Sequence, residues 1–140
     1  MGEVTYDELL SNMAKAIGIT KEEMIPQWEE LFVLREEIVP VIKKLRQKDD
    51  IALLSNAPLG VVEGILDKYA LWDLFDKTVI SSNVKMAKPD TAIYKYCISL
   101  FDKQYDKIYM IDDNMVNLKH LPSIGITPIH YKNVADLDVI

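Results

Sequence analysis

Residues 107–117 read KIYMIDDNMVN, and this stretch decides the fold. Ile108, Tyr109, Met110 and Ile111 form a short apolar run with polar flanks. Such a run is predicted to be a strand buried on both faces of a parallel sheet. Asp112 and Asp113 end it, and Asn114 follows. The carboxylates then lie at the C-terminal edge of the strand, where open α/β sheets bind ligands. Two like charges about 4 Å apart repel by about 4 kcal/mol at the effective dielectric near a protein surface. Side by side on a rigid strand end they require a cation, and a hard divalent metal or a lysine serves. The plainer alternative makes Asp112 or Asp113 the N-cap of a helix beginning near Asn114. Both readings hold together if one carboxylate caps while the other binds.

Outward from this stretch the pattern alternates. Strands are predicted at residues 51–54, 77–81, 107–111 and 126–131. Helices are predicted at 58–69, 89–100 and 114–121, and the tail VADLDVI reads as a short helix or an edge segment. Strands separated by helices imply a parallel sheet with right-handed crossovers. Ahead of this lies a helical, acidic front. Thr5-x-x-Glu8 and Thr20-x-x-Glu23 are capping boxes, and Gly18 stops the first helix. The second helix runs through Met24, Trp28, Leu31 and Phe32, with Pro26 in its first turns. A third helix is predicted over 36–48, with Ile38, Val41, Ile42 and Leu45 on one face.

The chain has 140 residues, enough for one domain with a core, and its 49% apolar and 27% charged residues are those of an ordinary soluble protein. No apolar run approaches a membrane span, and the N-terminus does not resemble a signal peptide. The net charge of −6 disfavours nucleic acid and anionic membranes as partners. A single cysteine, Cys97, excludes an intrachain disulfide and fits a reducing, cytoplasmic location. Cys97 sits in an apolar helical pattern and reads as core filler.

Three strand ends or loops hold polar groups able to converge. The first strand ends in Ser55-Asn56, the loop after the second contains Lys88-Pro89-Asp90, and the third ends in Asp112-Asp113. A hydroxyl, an amide, a lysine and a carboxylate pair at one sheet edge suit an anion held against a cation. The chemistry is phosphate binding, with Ser55 and Lys88 on phosphoryl oxygens and the carboxylates on Mg²⁺. Taken singly, Ser55 is equally a helix cap and Lys88 a solvated loop lysine.

The segments LLSNAP at 53–58, KPDTAIY at 88–94 and IYMIDDNMVNLKHLPSIGI at 108–126 resemble the second, third and fourth motifs of the haloacid dehalogenase (HAD) superfamily. The likeness is strongest to the phosphatase branch that includes the N-terminal domain of soluble epoxide hydrolases. It implies an α/β, Rossmann-like parallel sheet with helices on both faces over 36–140 and a partial helical cap over 1–35. It also implies Mg²⁺-dependent hydrolysis of a phosphorylated small molecule. Ser55 would donate to a phosphoryl oxygen, Asn56 would orient nucleophile or substrate, and Lys88 would neutralise charge. Asp113 would ligate Mg²⁺ directly, Asp112 directly or through water, and Asn117 would support the water shell of the metal.

One departure is large. Members of that superfamily begin with a strand ending in Asp-x-Asp, whose first aspartate attacks phosphorus and whose second is the general acid and base. That strand lies between those matching 51–54 and 108–111, and no such segment is present here. Asp136-Leu137-Asp138 is the only Asp-x-Asp and reads as coincidence. The expectation is a HAD-like core without its first, central strand, inactive alone and with weak or absent Mg²⁺ binding. The gap is to be closed by direct pairing, by a second copy in a homodimer, or by a complementing N-terminal fragment. The alternative is a non-catalytic binding or regulatory module. A receiver-like phosphoacceptor domain also uses acidic pairs and a lysine, but the helical front and Ser55-Asn56 fit it less well.

Overall fold

The computed structural model describes residues 5–140, except for the side chains of Tyr6 and Glu29. The helical front expected over 1–35 is thus seen from Thr5 onward, and residues 1–4 lie outside the described part.

Helix α1, Tyr6–Ile17, opens on the expected box: the Thr5 hydroxyl accepts from the Glu8 N–H at 3.2 Å, and Glu8 Oε2 accepts from the Thr5 N–H at 2.9 Å. Gly18 ends it at φ +77°, a conformation that costs glycine nothing. Helix α2, Lys21–Glu30, opens on the reciprocal Thr20–Glu23 pair. Pro26 is its sixth residue, within the first two turns, as expected. The helix ends before Leu31, which is exposed. The two helices bury Leu10, Ala14 and Met24 against each other, with Trp28 packed alongside.

The helix expected over 36–48 is shorter. Glu36–Ile38 forms a 3₁₀ turn, and α3 covers only Val39–Leu45. Pro40 explains the break, since it has no N–H to bond back to the carbonyl of Glu36. Asp76 then ties the end of this helix to the sheet. Its carboxylate accepts from Arg46 Nη2 and from the Ile51 N–H, each at 2.8 Å.

Strand β1, Ala52–Ser55, is followed by α4, Val61–Lys68, and then by β2, Lys77–Ile80. The short helix α5, Ser81–Val84, was not expected from the sequence. Helix α6, Thr91–Ser99, is capped by Asp90, which accepts from the Ala92 N–H at 2.9 Å. Strand β3, Tyr109–Asp112, leads through α7, Met115–Leu118, and a 3₁₀ turn at Leu121–Ile124 into β4, Thr127–His130. The tail forms a 3₁₀ turn, Val134–Leu137. Asn114, not Asp112 or Asp113, is the N-cap of α7: its Oδ1 accepts from the Val116 N–H at 3.0 Å. An Asp112 side chain turned back into the protein leaves that position to the next polar residue.

The four strands form two parallel pairs rather than one continuous sheet. β1 pairs with β2 from Ala52↔Lys77 to Ser55↔Ile80, and β3 with β4 from Tyr109↔Thr127 to Asp112↔His130. Among the described residues no ladder joins β1 to β3. The strand alternation still sorts the core into faces. On one face Val79, Ile93, Tyr94, Cys97, Leu118, Leu121 and Ile126 form one cluster, and Ala52, Leu54, Ile108 and Met110 pack against it. Helix α6 therefore spans both pairs. On the other face the core divides. Val62, Leu66 and Ile80 lie over β1–β2, while Ile129, Tyr131 and Leu137 lie over β3–β4 with Ile38 and Val41 from the α3 region. Helices thus cover both faces of an α/β core, as expected.

The division corrects one detail. Residues 108–111 were expected to be buried on both faces, yet Ile108, Tyr109, Met110 and Ile111 are only half-buried, as is all of β1. A central strand loses its exposure to neighbours on both edges, and here each of these strands has a neighbour on one edge alone. Among the described residues no helix is long and apolar enough to cross a membrane.

Candidate functional site

Three loops meet at the C-terminal ends of β1 and β3. The loop after β1 is held to the loop after β2 by Ser81, whose hydroxyl accepts from the Ala57 N–H at 3.1 Å and donates to the Ala57 carbonyl at 3.3 Å. Further along, Asn56 grips the backbone of Lys88. Its Nδ2 donates to the Lys88 carbonyl at 2.8 Å, and its Oδ1 accepts from the Lys88 N–H at 2.9 Å. The Lys88–Pro89 peptide bond is cis. Lys88, fixed at its backbone, reaches across to β3, and its Nζ lies 2.5 Å from Asp112 Oδ2.

Asp112 is the centre of the arrangement. It is the buried charged residue of the described core, 9% exposed, and the Lys88 side chain is 10% exposed. Its Oδ1 accepts from the Asn114 N–H at 2.8 Å and from Asn117 Nδ2 at 3.1 Å, while Asn117 Nδ2 also lies 3.0 Å from Oδ2. Asn117 is held in turn by Tyr94, whose hydroxyl donates to the Asn117 carbonyl at 2.7 Å. Burial works to raise the Asp112 pKa, but Lys88, the Asn114 N–H and Asn117 outweigh it and hold the carboxyl below its ordinary value. Burial, and secondarily the charge of Asp112, pushes the Tyr94 hydroxyl up to about 12, so it stays protonated as a donor. Cys97 lies beneath in the core, its thiol pushed up to about 11 by burial, which leaves it inert.

The sequence-predicted residues therefore divide. Asn56, Lys88, Asp112 and Asn117 form one bonded chain from β1 to β3. Ser55 and Asp113 stand beside it and make no side-chain hydrogen bond among the described residues. Ser55 ends β1 half-buried, and the Asp113 side chain is exposed. The Asp113 carbonyl accepts from His130 Nε2 at 3.0 Å, which fixes the proton on that nitrogen. Ser81, Tyr94 and His130 were missed. Tyr94 lay in the KPDTAIY segment without a stated role. His130 became legible only once the register set it opposite Asp112. Nothing in the sequence marked Ser81.

Mg²⁺ requires several oxygen donors in near-octahedral array. Both Asp112 oxygens are engaged, and Asn117 turns its NH₂ toward them. That leaves the Asp113 carboxylate as the ready donor. Among the described residues no three His, Cys, Asp or Glu side chains gather in metal-binding proximity. The residues present do not by themselves make a Mg²⁺ site. Nor is the Asp136 carboxylate free for chemistry. It closes the Asn133 capping box, accepting from the N–H groups of Lys132 at 2.8 Å and Asn133 at 2.9 Å.

An open cleft of about 310 Å³ adjoins this arrangement, lined by Arg35, Ile38, Ile111, Asp112, Asp113 and Tyr131.

Comparison with known proteins agrees with the fold. The chain is similar in fold to the HAD family enzyme bt-2542 of Bacteroides thetaiotaomicron, at a TM-score of 0.79 and 25% identity over 92% of this chain and 68% of that one. An aspartate-to-alanine mutant of the same enzyme, in complex with magnesium and inorganic phosphate, matches at 0.79 and 24% identity over 93% of this chain and 70% of that one. A HAD-like family hydrolase of Porphyromonas gingivalis matches at 0.71 and 20% identity, over 93% of this chain and 68% of that one. Drimenol cyclase drtB of Aspergillus calidoustus is 27% identical over 91% of this chain, which spans 26% of that relative's length. The model of the haloacid dehalogenase-like hydrolases matches residues 3–125. The chain belongs to the haloacid dehalogenase-like hydrolase family.

Proposed function

We propose that this chain is the phosphoryl-binding frame of a HAD-like phosphomonoester hydrolase, and that a separate strand completes it. The observation that carries this reading is the division of the sheet between β1 and β3, with Ser55 at one lip and the Lys88–Asp112 pair at the other. The Lys88 ammonium and the Ser55 hydroxyl hold the oxygens of a phosphorylated small molecule. Asn56 keeps Lys88 aimed, and Asp112 keeps its charge localised at the strand end. Covalent hydrolysis also needs a carboxylate aligned behind phosphorus. Asp112 cannot supply it, because hydrogen bonds engage both its oxygens. An incoming parallel strand ending in Asp-x-Asp supplies the nucleophile, the general acid and the missing oxygen donors, so Mg²⁺ dependence belongs to the completed assembly. The bt-2542 complex with magnesium and phosphate supports phosphoryl chemistry on this fold. The activity of the much longer Aspergillus cyclase is not carried over.

The test is steady-state hydrolysis of a chromogenic phosphomonoester with Mg²⁺. The chain alone gives no turnover above background. A peptide carrying an apolar strand that ends in Asp-x-Asp restores it, and Lys88→Ala removes it again. Metal-dependent turnover by the chain alone, abolished by Asp113→Ala, overturns the reading. A second reading, a non-catalytic module, is favoured by the same open edges, since unpaired strands invite a second copy. It predicts a dimer in sedimentation and no turnover with the peptide.

A further inference from the structure

The cleft beside Asp113 contains a cation that the phosphoryl reading does not use. Arg35 is exposed, and no carboxylate of the described residues pairs with it. Its side chain lies over an aromatic face: the guanidinium carbon sits 6.0 Å from the Tyr131 ring centroid. Tyr131 is 8% exposed, and its hydroxyl is buried without a hydrogen-bond partner. Tyr131, otherwise a core residue, lines the cleft, and its ring carries the Arg35 guanidinium there.

We infer that Arg35 and Tyr131 form an anion-recognition element for a second acidic group of the substrate, beside the phosphoryl-binding end. The inference rests on the phosphoryl reading and names its substrate class: a small phosphate ester that also carries a carboxylate or a second phosphoryl group. The geometry supports the assignment from both sides. Asp112 and Asp113 line the same cleft, so the element lies beside the phosphoryl-binding end. The Asp113 charge repels a second anion, which leaves the Arg35 side as the place it can settle. A guanidinium offers a planar fork suited to carboxylate or phosphoryl oxygens, and stacking on a ring pre-orients it. The Ile38 and Ile111 side chains supply an apolar wall for the carbon link between the two acidic groups.

The test is an amide-shift titration of the intact chain with three unreactive probes: ethylphosphonate, phosphonopropionate and ethylenediphosphonate. Arg35→Ala is expected to weaken the two doubly acidic probes by about tenfold and ethylphosphonate by less than about twofold, since one charge-assisted contact is worth about a tenfold change. Arg35→Lys is expected to recover part of the loss. Tyr131→Leu, which fills the space but removes the aromatic face under Arg35, is expected to weaken the same two probes by about threefold. The relative affinities of phosphonopropionate and ethylenediphosphonate decide which acid is preferred. Lys88→Ala weakens all three probes alike. Equal weakening of all three by Arg35→Ala, or none, overturns the inference. No effect of Tyr131→Leu overturns the part given to the ring. No effect of Lys88→Ala, with Arg35→Ala still selective, overturns the phosphoryl reading and leaves the Arg35 element standing.

Discussion

The two strand pairs are alike in geometry and unlike in how their ends are held. Each is a four-residue parallel ladder. β1 ends on Ser55, half-buried, its hydroxyl without a bond among the described residues. β3 ends on Asp112, buried and bonded to Lys88, Asn114 and Asn117. The acidic end is therefore structural as well as electrostatic, since removing any of its partners leaves a buried carboxylate short of a bond. The hydroxyl end is open, and under the proposed function a change there touches ligand and not fold. Lys88 joins the two, with its backbone on the β1 side through Asn56 and its ammonium on the β3 side.

That contrast sets the sizes of the expected mutational effects. Lys88→Ala strands the Asp112 charge in a buried place, and its expected cost is about 3 kcal/mol, read by urea denaturation. A loss below about 1 kcal/mol would show Asp112 to be solvated and would erase the difference between the two ends.

The acid limb of the stability curve sharpens the same point. The folded pKa of Asp112 lies below its unfolded value. Its contribution is thus fully present above the unfolded pKa, about 4, and is lost as pH falls through the folded value. Glu8, Glu23, Asp50, Asp76 and Asp136 are lowered too, so the difference between wild type and Asp112→Asn isolates one group. Denaturation curves from pH 7 to pH 2 should show a shallower acid loss in Asp112→Asn. Parallel curves would contradict the assignment.

Tyr94→Phe removes the hydroxyl that holds the Asn117 carbonyl and is expected to cost about 1 kcal/mol. Ser55→Ala, at the open end, is expected to stay within about 0.5 kcal/mol. It should nevertheless weaken ethylphosphonate binding, which separates a ligand role from a structural one.

The fold and the site were legible in the sequence to different degrees. Apolar runs set the strands because burial and a period of two leave few alternatives, and Thr5–Glu8 and Thr20–Glu23 announced their helices through side chains local in sequence. The boundary at Val39 was missed because Pro40 was counted as a helix residue and not as a missing donor. Asp112 at a strand end and Lys88 in a loop were visible as chemistry-bearing residues, and Asn117 through the family resemblance. Their bonds to one another were not, since they depend on side-chain direction across three loops. Ser81 and the His130–Asp113 contact rest on register and loop path, which no local pattern encodes. The half-burial of β1 and β3 followed from the divided sheet, and the residues within those strands carried no trace of it.

In the proposed assembly β1 and β3 face an unfilled strand position whose lips carry the binding groups. Amide hydrogen exchange tests it most directly, with the chain measured alone and with a peptide of an apolar strand ending in Asp-x-Asp. The account predicts that residues 52–55 and 109–112 exchange faster alone than strands paired on both edges do, and that the peptide slows both segments together. Protection of both segments in the chain alone, unchanged by the peptide and by dilution, would contradict it.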